Sequence, residues 1–323
     1  MNKKIGLLTS GGDAPGMNAA IRSIVRMGVY QGHEMVGIEG GWQGIFDKKF
    51  LPMDFRSVSN IIQKGGTILR SSRSEEFKTT EGVKRGAKIL DKEGINALIA
   101  IGGDGTFRGC LDLDSIWDGQ VIGVPGTIDN DVYGTEDTIG FDTATNTALF
   151  AIDKIRDTAD AHERFFVIEV MGRKSGFIAL SVAIASGAEE VIIPETKTDL
   201  AQLASELSLG RDKGKRSSLV IVAEGSNQGN AYEIAKKLEE YSGTPYRIVV
   251  LGHLLRGGSP SAYDRLLASE LGSNSIEAID QELTGIMCGK RGGKCIHTSL
   301  QEAVTLKKTL SSNLQKLQPI LAL

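Results

Sequence analysis

The stretch Ala97-Leu98-Ile99-Ala100-Ile101-Gly102-Gly103-Asp104-Gly105-Thr106 decides how this chain folds. Its five opening residues are apolar without alternation, the pattern of a strand buried on both faces, as in a parallel sheet. Two glycines end the run and an acid follows. Glycine lets the backbone approach a ligand closely, and an aspartate opening the next helix sets a carboxylate beside unpaired backbone amides. Ligands of parallel sheets bind at such strand-to-helix junctions. Asp104 capping a helix after a glycine-rich turn is the plainer reading of the same residues.

Outward from that strand, further short apolar runs fall at residues 5–9, 35–38, 121–124, 165–170, 190–193, 219–223 and 247–251. Helical patterns lie between them. In residues 143–160, Ala148, Ala151, Ile152, Ile155 and Ala159 share one helical face. Around Ile234, Ala235 and Leu238, the charges Glu233, Lys236, Lys237 and Glu240 mark a second helix. Strand–helix alternation of this kind implies an α/β fold, with helices on both faces of mostly parallel sheets. The length of 323 residues exceeds what one core usually holds, so two domains are expected. Apolar residues at 41% leave enough to bury in both.

A formal charge of −3 argues against a protein that coats nucleic acid or an anionic membrane. The three cysteines, Cys110, Cys288 and Cys295, form no C-x-x-C pair, which speaks against a zinc site or a disulfide framework. The apolar run at residues 5–8 is too short for a signal peptide, and no later run reaches membrane-spanning length. A cytoplasmic protein is expected.

Two more loops carry chemistry. Thr9-Ser10-Gly11-Gly12-Asp13-Ala14-Pro15-Gly16-Met17-Asn18 follows a strand and opens a helix, a combination that suits a polyphosphate. It is neither a Walker A sequence nor a G-x-G-x-x-G fingerprint, and a tight strand-to-helix turn is the plain alternative. Pro125-Gly126-Thr127-Ile128-Asp129-Asn130-Asp131 places two carboxylates and a hydroxyl after another strand. Phosphoryl transfer to an alcohol needs an acceptor for the hydroxyl proton, and Asp129 is the candidate base. For Asp131, a solvated turn aspartate is the competing reading.

These three loops resemble those of the ATP-dependent bacterial 6-phosphofructokinases. Glu169-Val170-Met171-Gly172-Arg173 and Leu251-Gly252-His253-Leu254-Leu255-Arg256-Gly257-Gly258 resemble that family too, so the likeness runs from residue 3 to about residue 295. The resemblance implies two Rossmann-like three-layer domains with the active site in the cleft between them. The larger, ATP-binding domain would comprise residues 1–140 plus 254–303, and the smaller, sugar-phosphate-binding domain residues 141–253 plus 304–323. It implies transfer of the ATP γ-phosphoryl to the 1-hydroxyl of fructose 6-phosphate in glycolysis.

Site roles follow from the same resemblance. Gly12, Arg73, Ser74, Gly103, Asp104, Gly105 and Thr106 would contact ATP, with Asp104 on Mg²⁺. Asp129, Arg73, Thr127 and Gly12 would be catalytic. Ile128, Met171, Gly172, Arg173, Glu224, His253 and Arg256 would join Thr127 and Asp129 on the sugar phosphate. Arg164 and Arg247 would reach the 6-phosphate from a neighbouring subunit of a homotetramer. A planar guanidinium suits phosphate, although an arginine at a strand end is often only a snorkelling or ion-paired residue. An effector site for ADP or phosphoenolpyruvate would comprise Arg22, Arg26, Arg56, Arg156, Gly187, Glu189, Lys213, Lys215, Arg216 and Ser217.

Related enzymes use pyrophosphate, typically with an aspartate after the Gly-Gly-Asp acid and a lysine in place of the glycine of Pro-Gly-Thr. Gly105 and Gly126 stand at those positions, and both favour ATP. Ser74 stands where many ATP-using members carry an aromatic. A pyrophosphate-dependent enzyme and a catalytically silent nucleotide sensor are the alternatives. Beyond residue 295, spaced leucines suggest one or two terminal helices packed on the second domain.

Overall fold

The computed structural model describes residues 2–162 and 164–322. In chain order the first elements are β1 (Lys4–Thr9), α1 (Met17–Tyr30), β2 (Glu34–Ile38), α2 (Gly41–Phe46) and β3 (Phe50–Met53). Then come α3 (Thr80–Lys92), β4 (Ala97–Gly102), α4 (Asp104–Asp114), β5 (Gln120–Pro125) and α5 (Phe141–His162). β6 (Phe165–Val170), α6 (Phe177–Ser186), β7 (Glu190–Ile192), α7 (Leu200–Asp212), β8 (Ser218–Ala223), α8 (Ala231–Ser242) and β9 (Tyr246–Val250) follow. The last are α9 (Ala262–Asp280), β10 (Ile286–Arg291), β11 (Lys294–Ser299), α10 (Leu300–Thr305) and α11 (Ser312–Leu321).

The chain divides into two compact units, each crossed more than once. The first holds Met1–Ile128, Val132–Thr143 and Arg256–Lys308; the second holds Asp129–Asp131, Ala144–Leu255 and Thr309–Leu323. A seven-stranded sheet in the order β11-β10-β5-β4-β1-β2-β3 forms the first, and a four-stranded sheet in the order β7-β8-β6-β9 forms the second. All pairings in the smaller sheet are parallel, whereas the larger sheet ends in an antiparallel strand on each side. The α/β architecture with mostly parallel sheets read from the sequence is therefore present.

Each of the eight apolar runs is a strand, β1, β2 and β4–β9; the inner ones are buried on both faces, which removes the need for alternation, while β7 and β9 are the edges of the smaller sheet. β3, β10 and β11 carried no such signal. β3 and β11 are the larger sheet's two edges, where Pro52 and Lys294 are edge chemistry, and β10 lies between β11 and β5. Gly292 and Gly293, with φ of 55° and 76°, make the two-residue turn that joins β10 to β11, a geometry that glycine alone adopts without strain.

Packing fixes α4, the helix that Asp104 opens. Phe107 in its first turn is fully buried, and β5 makes room for it with Gly123, where a Cβ would sit 2.7 Å from the ring. Burying such a ring stabilises the fold by about 2–3 kcal/mol. In the second unit, α8 begins with a reciprocal cap: the Asn230 side chain accepts from the Tyr232 and Glu233 amides, and Glu233 accepts from the Asn230 amide. The spaced leucines do form two terminal helices, but only α11 lies on the second unit, against α6; α10 packs on α4 in the first. Among the described residues, no helix is long and apolar enough to cross a membrane.

Candidate active site

In the first unit, β5, β4 and β1 are adjacent parallel strands, so their carboxyl ends bring three glycine-containing loops side by side. Backbone bonds lock them: the Ser10 amide donates to Ile101 O at 3.0 Å, and the Gly126 amide to Gly102 O at 2.9 Å. Thr106, almost fully buried, donates its hydroxyl to Ser10 O at 3.1 Å. A Cβ on Gly103 would lie 3.4 Å from Thr127 Cβ, which puts the second and third loops in contact. Gly12 and Gly105 remain exposed at this edge.

Asp104 is the first residue of α4, where unpaired amides and the positive helix end favour an anion. Its carboxylate is forked by Arg108 one turn on, Nε to Oδ2 at 3.1 Å and Nη2 to Oδ1 at 3.3 Å. The sequence reading passed over Arg108; the acid-to-arginine spacing of four on a helix was its signal. Among the described residues, no group of three or more His, Cys, Asp and Glu side chains could hold a metal. One half-exposed carboxylate nonetheless fits Mg²⁺, which keeps several waters and takes phosphate oxygens as ligands. An exposed ion pair is held weakly, so Arg108 is no obstacle.

Arg73 lies exposed on a segment tied down at its base. Ser71 donates its hydroxyl to Gly11 O and Ser72 to Gly40 O, both at 2.6 Å, and the Thr9 hydroxyl donates to Arg70 O at 2.8 Å. Ser74 instead points inward: it is 6% exposed, its hydroxyl donates to Gln43 Oε1, and it accepts from the Phe77 amide. The Ser74 hydroxyl is thus engaged within the protein. Arg256 donates Nη1 to Asp13 O at 3.0 Å, within this same unit.

In the second unit, the carboxyl ends of β8, β6 and β9 lead into Glu224, Met171–Arg173 and His253. Gly172, at φ 148°, turns the chain so that its carbonyl accepts from the Ser175 amide at 2.9 Å and the Ser175 hydroxyl at 3.0 Å. Arg173 then adopts a left-handed φ of 53°, and its amide donates to Glu224 Oε1 at 2.8 Å. Asp129 belongs to this unit and is 2% exposed. The Ser175 hydroxyl also reaches Asp129 O at 3.2 Å, a support that the sequence did not signal.

Arg164 and Arg247 are not brought to that edge. Arg164 precedes β6, and Arg247 pairs with Phe166 near the amino end of the sheet. The six residues of β6, about 20 Å of extended chain, separate them from Met171 within one chain.

The effector candidates fall into both units. Arg22 and Arg26 lie one turn apart on α1; Arg26 Nε is buried without an acceptor, and burial followed by the Arg26 charge lowers the Arg22 pKa. Arg56 is exposed. In the second unit, Arg156 donates to Ser186 O at 2.7 Å and Gly187 O at 3.0 Å. Glu189 pairs with Lys215 at 2.9 Å, Ser217 donates to Asp160, and Lys213 and Arg216 are exposed.

A family model described as Phosphofructokinase matches residues 4–279. The protein named ATP-dependent 6-phosphofructokinase 1 from Thermus thermophilus is 51% identical over 321 residues, covering 99% of this chain and all of that one. An ATP-dependent 6-phosphofructokinase from Halothermothrix orenii is 47% identical over 331 residues, again across its full length. Among solved structures, phosphofructokinase from Saccharomyces cerevisiae superposes with a TM-score of 0.86 at 33% identity; this chain spans 48% of that one. A pyrophosphate-dependent phosphofructokinase from Nitrosospira multiformis, at 20% identity and a TM-score of 0.87, shares the fold.

Proposed function

The chain belongs to the phosphofructokinase family, and from that premise we propose that it is an ATP-dependent 6-phosphofructokinase. It transfers the γ-phosphoryl of ATP to the 1-hydroxyl of fructose 6-phosphate, giving fructose 1,6-bisphosphate and ADP. One observation carries the reading beyond the likeness: three loops able to hold phosphate meet at the carboxyl ends of the adjacent strands β5, β4 and β1.

Each role rests on position. The amides around Gly12 and the first turn of α4 hold the donor phosphates, with Thr106 bracing the loops and Arg73 reaching the transferring group. Asp104 holds Mg²⁺, which when bound neutralises charge on the phosphoryl oxygens. Asp129 accepts the proton of the 1-hydroxyl, and Thr127 orients the phosphoryl group. Met171, Gly172, Arg173 and Glu224 hold the sugar, and His253 and Arg256 its 6-phosphate. Arg164 and Arg247, exposed at the opposite end of their sheet, serve the 6-phosphate of a neighbouring copy in a homotetramer. Arg22, Arg26 and Arg56 together with Arg156, Glu189, Lys213, Lys215 and Arg216 form an effector site for ADP or phosphoenolpyruvate. The enzyme works in the cytoplasm.

A coupled assay tests the proposal: fructose 6-phosphate with ATP or pyrophosphate as donor, each with and without ADP. Product formation with ATP alone is expected. Turnover only with pyrophosphate, or with neither donor, overturns the reading.

A further inference from the structure

Arg256 stands where the chain re-enters the first unit, as the last residue of the short helical segment Gly252–Arg256 that also carries His253. Its guanidinium does not extend into solvent. It lies flat over Gly12, so that a Cβ on that glycine would meet Nη1 at 2.5 Å, Cζ at 2.9 Å and Nη2 at 3.2 Å. Its hold there is one hydrogen bond, from Nη1 to the neutral carbonyl of Asp13 at 3.0 Å. Among the described residues it makes no ion pair.

A guanidinium with a single neutral acceptor is underused. Its planar fork matches phosphate oxygens, and two parallel bonds to an anion exceed one bond to a neutral carbonyl. The face it covers is the face of the phosphate-binding loop that glycine leaves open. A phosphate that took this fork would compete with Gly12 and the Asp13 carbonyl for it.

We propose that Arg256 is a latch between the two substrates. With no sugar phosphate bound it rests against one face of Gly12, a residue otherwise exposed; the 6-phosphate draws it off and clears that face. The inference rests on the sugar-phosphate reading and adds a binding order: sugar phosphate prepares the donor site. Arg256 is thus a positioning residue for the donor as well as a ligand for the acceptor. The latch is a single bond from a charged donor to a carbonyl, worth about a tenfold shift in an equilibrium or somewhat more.

Hydrogen exchange on the full-length protein without nucleotide tests this. Fructose 6-phosphate, with its binding followed by calorimetry on the same sample, is expected to speed exchange in residues 10–16 about tenfold. Arg256→Gln should show the faster exchange without sugar and no response to it. Gly12→Ala keeps Arg256 but fills its resting place with a methyl group, and it should likewise exchange fast from the start. Bound sugar phosphate that leaves these amides unchanged, or protects them, overturns the latch. Wild-type exchange rates in both sugar-free variants overturn it as well. Absence of any sugar-phosphate binding would instead strike the functional reading, and the sugar-free comparison of variants with wild type would still decide the latch.

Discussion

Replacing Gly105 with aspartate separates fold from donor binding more cleanly than any other change at this site. Gly105 is the second residue of α4 and is exposed; a Cβ there meets nothing within 4 Å. The new side chain therefore displaces no atom. Glycine in a helix costs about 0.5–1 kcal/mol relative to alanine, and an acid in the first turn gains about 0.3–1 kcal/mol from the helix dipole. The fold should hold or gain slightly. The donor should not. A carboxylate roughly 5 Å from one phosphate charge costs ~1–3 kcal/mol at effective dielectrics between bulk water and a protein surface. That corresponds to a loss of about 5- to 150-fold in ATP affinity. Calorimetric titration with ATP and a thermal melt of the same Gly105→Asp preparation measure both terms. ATP affinity within twofold of wild type would refute the placement of phosphate at this turn. A lowered melting midpoint would refute the claim that the position is open.

The remaining predictions address other parts of the molecule. Asp129→Ser should lower turnover by about 10²- to 10⁴-fold while ATP binding stays near normal; a near-wild-type rate sinks the base assignment. Arg164→Ala and Arg247→Ala should each raise the fructose 6-phosphate requirement by about 10- to 100-fold, the weight of one charged hydrogen bond, and leave the ATP requirement nearly unchanged. Equal effects on both substrates would argue against phosphate clamping. Asp264, fully buried at the start of α9, has its pKa raised by burial against the opposing bonds from Thr143 and Gly140. Its protonated form is favoured by folding, so its stabilising contribution is full below the ordinary aspartate value and is lost as pH rises through the raised one. Urea unfolding from pH 4 to 8 should show wild type losing stability relative to Asp264→Asn as pH rises; a gap moving the other way refutes the assignment.

How far the sequence could be read depended on where each residue's signal comes from. Buried parallel strands announce themselves, because both faces demand apolar side chains, and so residues 97–101 and the seven other runs were legible. The strands at the margins of the first sheet do not: β3 carries Pro52, and β11 reads Lys-Cys-Ile-His-Thr-Ser, mixed polar and apolar where it meets solvent. Within the site, loop chemistry was visible as residue type, whereas the partners of those residues were not. The spacing of four could have announced that Arg108 forks Asp104, but nothing in the order of residues tells that Ser175 supports Asp129 or that Arg256 rests on Gly12, since each of those contacts joins a side chain to backbone that only the fold brings near. The inward turn of Ser74 toward Gln43 is of the same kind.

The glycines show the limit most sharply. Gly105 and Gly126 carried equal weight in the sequence as marks of ATP use, one for leaving space and one for lacking a cation. In the structure they differ. Gly105 faces open space, so ligand chemistry is the constraint that remains on it. Gly126 is hemmed in: a Cβ would sit 2.8 Å from Ile101 Cγ2 and 3.4 Å from Met17 Cε. Overpacking of that kind typically costs about 1–3 kcal/mol unless the neighbours give way. Packing alone is thus reason enough for glycine at 126, and its bearing on the donor shrinks accordingly. Gly126→Ala turns the argument into a measurement, because alanine adds bulk without adding a cation. Lower stability with an unchanged preference for ATP over pyrophosphate is the expected result. A shift toward pyrophosphate on adding one methyl group would mean that this glycine selects the donor after all.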